Sequence, residues 1–97
     1  MKGDIEWYKN MWSTRQNHQC EECGIRLPHF HPMFVSHIIT KGSYPTLRQH
    51  PENWMLYCMD CHQLWEFGNR KTMKTYPRAM EIADRLKREY HESKKNK

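Results

Sequence analysis

No run of apolar residues in this sequence is long enough to cross a membrane, which excludes a membrane-spanning helix. The opening Met1-Lys2-Gly3-Asp4-Ile5-Glu6 lacks the apolar core of a signal peptide, so the expected compartment is the cytoplasm. Internal repeats and low-complexity blocks are also missing, which excludes a solenoid. Apolar residues are scarce overall, at 37% of 97 residues with a mean hydropathy of −1.08. One small domain with terminal extensions is the expectation, and its thin core would benefit from a metal or a similar staple.

The sequence is rich in aromatics for so polar a chain, with 12% Phe, Trp and Tyr and four Trp. Its charge is unevenly placed. Residues 1–69 carry six Lys/Arg against seven Asp/Glu, whereas residues 70–97 carry ten against four. A basic C-terminal third on a near-neutral body suits a polyanion, most often nucleic acid, although a solvated helix gives the same composition.

Residues 4–16 read as a helix with Asp4 as N-cap and Ile5, Tyr8 and Trp12 on one face, covering the core. Cys20-Glu21-Glu22-Cys23-Gly24 has the form of a metal-binding knuckle, with a glycine where positive φ is needed. Two prolines hold Leu27–Pro32 extended or turning. Residues 33–39, Met-Phe-Val-Ser-His-Ile-Ile, predict a strand, and Trp54–Tyr57 a second one. Between them, residues 40–53 form a long irregular connection, a length that usually carries function. A helix is expected from Asp60 to Phe67, stopped by Gly68, and another over about 77–92 with Ala79, Ile82, Ala83, Leu86 and Tyr90 as its apolar stripe.

Cys20, Cys23, Cys58 and Cys61 make two Cys-x-x-Cys pairs with 34 residues between them. In a reducing compartment this pattern means metal rather than disulfides, and four thiolates suit a closed, structural Zn²⁺ site. The separation exceeds ordinary ribbon spacing, so a strand, a long loop and a strand must fold between the knuckles. Three further residues gather around that frame. His37 interrupts an apolar strand, Asn53 ends the long loop, and His62 follows Cys61 directly.

The order Cys-x-x-Cys, Ser36-His37-Ile38, then Asn53-x-x-x-x-Cys58-x-x-Cys61-His62 resembles the HNH endonucleases with a ββα-metal fold and a four-cysteine zinc anchor, across residues 20–68. Within it, Gly42–Asn53 resembles the loop of phage NinG-type recombination proteins. The resemblance implies an α+β fold. A 1–19 helical segment would precede a zinc-anchored ββα-metal domain at 20–69, and a basic linker with a C-terminal helix and tail would follow at 70–97.

It also implies a metal-dependent DNA endonuclease that nicks or cleaves phosphodiester bonds, leaving 5′-phosphate and 3′-hydroxyl ends. His37 would be the general base, Asn53 an orienting residue and His62 a ligand of a catalytic Mg²⁺, Mn²⁺ or Zn²⁺. The residue before the first histidine is commonly a metal ligand in such motifs, and here it is Ser36, a poor one. Glu66, four residues after His62 on the same helix face, is a further ligand candidate, as are His29, His31 and His50. Lys41, Arg48, Arg70, Lys71 and Lys74 are candidate phosphate contacts, which position DNA without reading its sequence.

The family points to a phage or mobile-element setting in the host cytoplasm, with DNA and packaging or recombination proteins as partners. Two other readings stand beside this one. The first is a non-catalytic, zinc-stabilised module that binds nucleic acid, which Ser36 favours. The second is a nuclease subunit active only in a larger complex, with Trp7, Trp12 and the C-terminal helix as docking surfaces.

Overall fold

A computed structural model describes residues 2–39 and 44–95. Its elements run α1 (Lys2–Ser13), β1 (Val35–His37), β2 (Trp54–Leu56), α2 (Met59–Phe67) and α3 (Tyr76–Lys95), with short 3-10 turns at Pro32–Phe34, Pro45–Leu47 and Arg70–Thr72. The architecture is a small α+β arrangement in which two antiparallel strands, in the register Val35↔Leu56, Ser36↔Met55 and His37↔Trp54, are flanked by helices.

The strands are shorter than the sequence pattern predicts. Residues 32–34 close as a 3-10 turn started by Pro32, with the His31 ring accepting from the Met33 N–H at 3.1 Å. Ile38 and Ile39 continue past the paired residues into the core. Neighbouring residues on a strand face opposite ways, and both faces of this ribbon are covered. One face packs Met55, Tyr57, Trp65, Met73, Ala79, Ala83 and Leu86, bringing in α2 and α3. The other packs Val35, Trp54 and Leu56 against Leu27 and Trp7 of α1. Such two-sided burial explains the unbroken apolar run at 54–57.

The helices adjust the expected boundaries. Helix α1 starts at Lys2, so Asp4 lies in its first turn and not at the cap. Its most buried side chain is Trp7, at 6% exposure, while Ile5 is exposed. Trp7 is therefore internal and unavailable as a docking surface. The N-cap position of α2 is Cys58 rather than Asp60. Gly68 ends α2 without a left-handed turn, at φ −104°. A Cβ there would meet Leu64 Cδ1 at 2.6 Å, the end of an exposed side chain that can turn away, and the Leu64 carbonyl at 3.1 Å, so close packing and not backbone freedom favours the glycine.

A polar chain, buried at its Tyr57 end, ties α3 to the first knuckle. Glu22 accepts from the Lys74 N–H (2.9 Å), the Thr75 N–H (2.9 Å) and the Thr75 hydroxyl (2.7 Å), and Thr75 Oγ1 lies 2.7 Å from the Tyr57 hydroxyl. These bonds pair the backbone N–H groups of the two residues that lead into α3. The apolar stripe of α3 does the rest, with Ala79 and Leu86 fully buried and Ala83 nearly so. Leu86→Ala should cost about 2–5 kcal/mol, the range for emptying a packed leucine site. Denaturant unfolding of zinc-loaded protein checks this, and a loss under about 1 kcal/mol would mean α3 is loosely docked.

Candidate functional site

The four cysteine sulfurs lie within 4.8 Å of one another, although their residues come from the two ends of the strand–loop–strand segment. Cys23 Sγ and Cys58 Sγ are 3.7 Å apart. Sulfurs about 2.3 Å from a tetrahedral Zn²⁺ stand about 3.8 Å from each other, so the spacing suits a four-thiolate ion cage. Gly24 has φ +81°, the left-handed turn expected of the first knuckle, and the Cys23 N–H points at Cys20 Sγ at 3.5 Å. Burial and the crowding of neighbouring thiols push the Cys61 thiol well above the usual range, and burial also raises Cys58. Cys23 shifts the other way, lowered chiefly by its hydrogen bond with the Ile25 backbone, so the resistance to ionising without a cation belongs to Cys58 and Cys61. The cluster can hold a metal such as zinc.

Two acidic residues between the knuckle cysteines fix this cage to the fold. Glu21 and Leu56 are joined twice, through Glu21 N–H to Leu56 O (2.7 Å) and Leu56 N–H to the Glu21 carboxylate (2.8 Å). Arg15 and Arg78 also reach that carboxylate at 3.3 Å. Glu22 makes the clamp to α3 described above. Neither residue stands out as functional in the sequence. Two adjacent carboxylates inside a short, tight knuckle are the one signal that points to them.

Asn53 is fully buried, and its amide braces the long loop. Oδ1 accepts from the Ile39 N–H at 2.7 Å, while Nδ2 donates to the carbonyls of Ile39 (3.1 Å) and Leu47 (3.0 Å). The two ends of the segment between β1 and β2 are thus joined through one side chain.

Ser36 and His62 meet on the α2 side of the ribbon, with Ser36 Oγ 2.7 Å from His62 Nδ1. Both are buried. Burial holds the His62 ring below its ordinary pKa, and the nearby Glu66 charge partly offsets this. Fixing Nδ1 in this way leaves Nε2 as the free ligand atom of the ring.

His37 faces the other side. Its ring stacks on Trp7, with centroids 4.7 Å apart and planes at 12°, and meets the edge of Tyr8 at 5.7 Å. Its carbonyl accepts from Trp65 Nε1 at 2.9 Å, which ties β1 to α2. Burial, helped by the positive charge of Arg48, pushes its pKa down to about 4. No ring contact or hydrogen bond joins His37 to His62 among the described residues. The fold brings Ser36 to His62 and Asn53 to the loop, and it leaves His37 beneath α1.

The candidate phosphate contacts are dispersed. Arg48 is held by Asp4 in a two-pronged pair, Nε to Oδ1 at 3.1 Å and Nη2 to Oδ2 at 3.0 Å. Arg70 lies over the Trp65 ring at 4.4 Å, and Lys71 and Lys74 are exposed. Lys41 lies outside the described residues. His29 is exposed, and the rings of His31 and His50 accept from the backbone N–H groups of Met33 and Glu52. Among the described residues the four cysteines are the one group in which three or more potential metal ligands gather.

No family model, no curated protein and no solved structure matches this chain.

Two outcomes test the cage and the loop brace. Removing metal with a strong chelator should abolish the cooperative thermal transition, because closing the cage brings distant segments together; a transition unchanged after complete zinc loss, read by circular dichroism, would refute it. Asn53→Ala should cost about 2–4 kcal/mol by leaving Ile39 N–H and two carbonyls without their partner. Faster exchange at the Ile39 amide should accompany the loss.

Proposed function

We propose that this protein is a metal-dependent endonuclease of the HNH type, hydrolysing DNA phosphodiester bonds from the end of its strand–strand–helix unit. The observation that carries the reading is the buried Ser36–His62 pair at 2.7 Å, flanked in sequence by His37 and braced by Asn53 across the loop. A buried histidine fixed through one ring nitrogen by a neighbouring hydroxyl is the arrangement that prepares the other nitrogen to bind a cation.

In this reading Ser36 orients His62 and is not itself a ligand. His62 Nε2 and the Glu66 carboxylate, on the same helix face, would hold the cation, and the influence of Glu66 charge on the His62 ring fits that role. When bound, a divalent cation supplies charge stabilisation for the phosphate and its leaving 3′ oxygen. His37 Nε2 has no hydrogen-bond partner in the structure, and it takes the proton from the attacking water. Asn53 acts at a distance by keeping the loop, and with it Arg48, in place beside β1.

The alternative is a zinc-stabilised module that binds nucleic acid without cutting it. It draws on the covering of His37 by Trp7 and on the absence of a second gathered ligand set among the described residues. Nicking of supercoiled plasmid in Mg²⁺, Mn²⁺ or Zn²⁺ separates the two. We expect His37→Ala and His62→Ala each to lower the rate at least 100-fold, the scale on which a general base or a metal ligand acts, with zinc content unchanged. Equal nicking by wild type and His37→Ala would remove His37 as base, and no nicking with any metal would favour the binding module.

A further inference from the structure

Helix α1 packs on the core through Trp7, with Tyr8, Met11 and Trp12 beside it, and two of its contacts at the candidate site are of unusual character. At its first turn the Asp4 carboxylate sits in the Arg48 guanidinium fork, at 3.0 and 3.1 Å, and also accepts from Gln49 Nε2 at 3.2 Å. A carboxylate presents two oxygens to arginine in the way a phosphodiester does, and both species favour this planar, two-pronged geometry. Side-chain exposures of 22% for Arg48 and 13% for Asp4 leave the pair at the rim, within reach of a competing anion.

One turn further on, Trp7 lies flat on His37. This stack buries Trp7 Nε1 and His37 Nε2 without a hydrogen-bond partner for either. Buried polar atoms left unpaired are costly, and most folds avoid them. Here one orphan belongs to each of the two stacked rings, so the folded arrangement leaves two polar atoms uncompensated that water would satisfy on opening. The same contact hides the nitrogen that the endonuclease reading assigns to water activation.

We propose that α1 is a displaceable cover over His37, held shut by an Asp4 carboxylate that occupies Arg48 in place of a nucleic-acid phosphate. A backbone phosphate taking Arg48 frees Asp4, the first turn of α1 loses its anchor, and Trp7 lifts from the His37 ring. Nucleic-acid binding and uncovering of the site are then a single exchange of one anion for another. The proposal rests on the nucleic-acid reading above, yet it concerns binding and exposure and so fails separately from cleavage.

The test uses full-length, zinc-loaded protein and a short fluorescein-labelled DNA duplex. Amide exchange of residues 4–13 is followed by mass spectrometry with and without saturating duplex, and duplex affinity is measured by anisotropy. Asp4→Asn should speed α1 exchange and tighten duplex binding about 1.5- to 5-fold, the range for releasing a rim ion pair. Asp4→Lys, which repels Arg48, should speed exchange further, and its zinc content shows whether it is folded. Arg48→Gln should weaken duplex binding and remove the response to Asp4→Asn in the double variant.

Saturating duplex should also speed α1 exchange in the wild type. An α1 that stays protected with duplex bound overturns the proposal. So does an Asp4→Asn protein whose α1 loosens while its affinity is unchanged, or a chain that binds no duplex at all. If α1 opens on duplex but no plasmid is nicked with any metal, the cover stands and the endonuclease reading falls. If nicking depends on His37 while α1 stays protected, the cover falls and the endonuclease reading stands.

Discussion

Bringing four sulfurs from two distant turns into one small volume is the constraint on which the other contacts depend. The Cys20–Cys23 knuckle and the Cys58–Cys61 knuckle bracket the strand–loop–strand segment, so joining them closes a long loop over a thin core. With the cage closed, Glu21 reaches Leu56 at the end of β2, and the ribbon gains a further line of hydrogen bonds. Helix α2 then begins inside the second knuckle, which sets the position of His62 one residue past Cys61.

Polar groups, more than apolar bulk, determine where the remaining pieces settle. The Asn53 side chain makes two bonds with Ile39 and one with Leu47 within the long loop, and Glu22 accepts three from the residues that lead into α3. Each is inside or beside the core, where an unpaired partner would be expensive. Directional bonds of this kind suit a chain with few large aliphatic residues, because they specify geometry that a small apolar cluster leaves loose. The exception is the Trp7–His37 stack, which is apolar in form and carries unsatisfied nitrogens.

Periodicity and spacing make the frame legible in the sequence. The paired cysteines announce the cage, Gly24 its positive φ, and the stripe through Ala79, Ala83 and Leu86 the docking face of α3. Less can be read where tertiary contact overrides local pattern. Residues 33–39 look like one strand, yet the His31–Pro32 start turns the first of them into a 3-10 turn and only three pair. In α1 the apolar face chosen by spacing misses Trp7, because the helix is gripped at Asp4 by a residue 44 positions away. Glu21 and Glu22 are silent for the same reason: their partners lie far along the chain. The alternation of a strand explains why adjacent Ser36 and His37 serve opposite faces, a separation that a linear motif does not reveal.

The Glu22 clamp has a consequence for the order in which the molecule is made. All three of its donors lie at Lys74 and Thr75, so the final helix docks on a turn completed only when the first knuckle has its shape. During synthesis Cys20 and Cys23 emerge long before Cys58 and Cys61, and for that interval they are an incomplete pair of exposed thiols. The start of α3 therefore gains its Glu22 contacts only once the first knuckle has its shape. If a metal closes the cage, a chain that captured it late would for that interval carry a basic amphipathic helix without its Glu22 anchor.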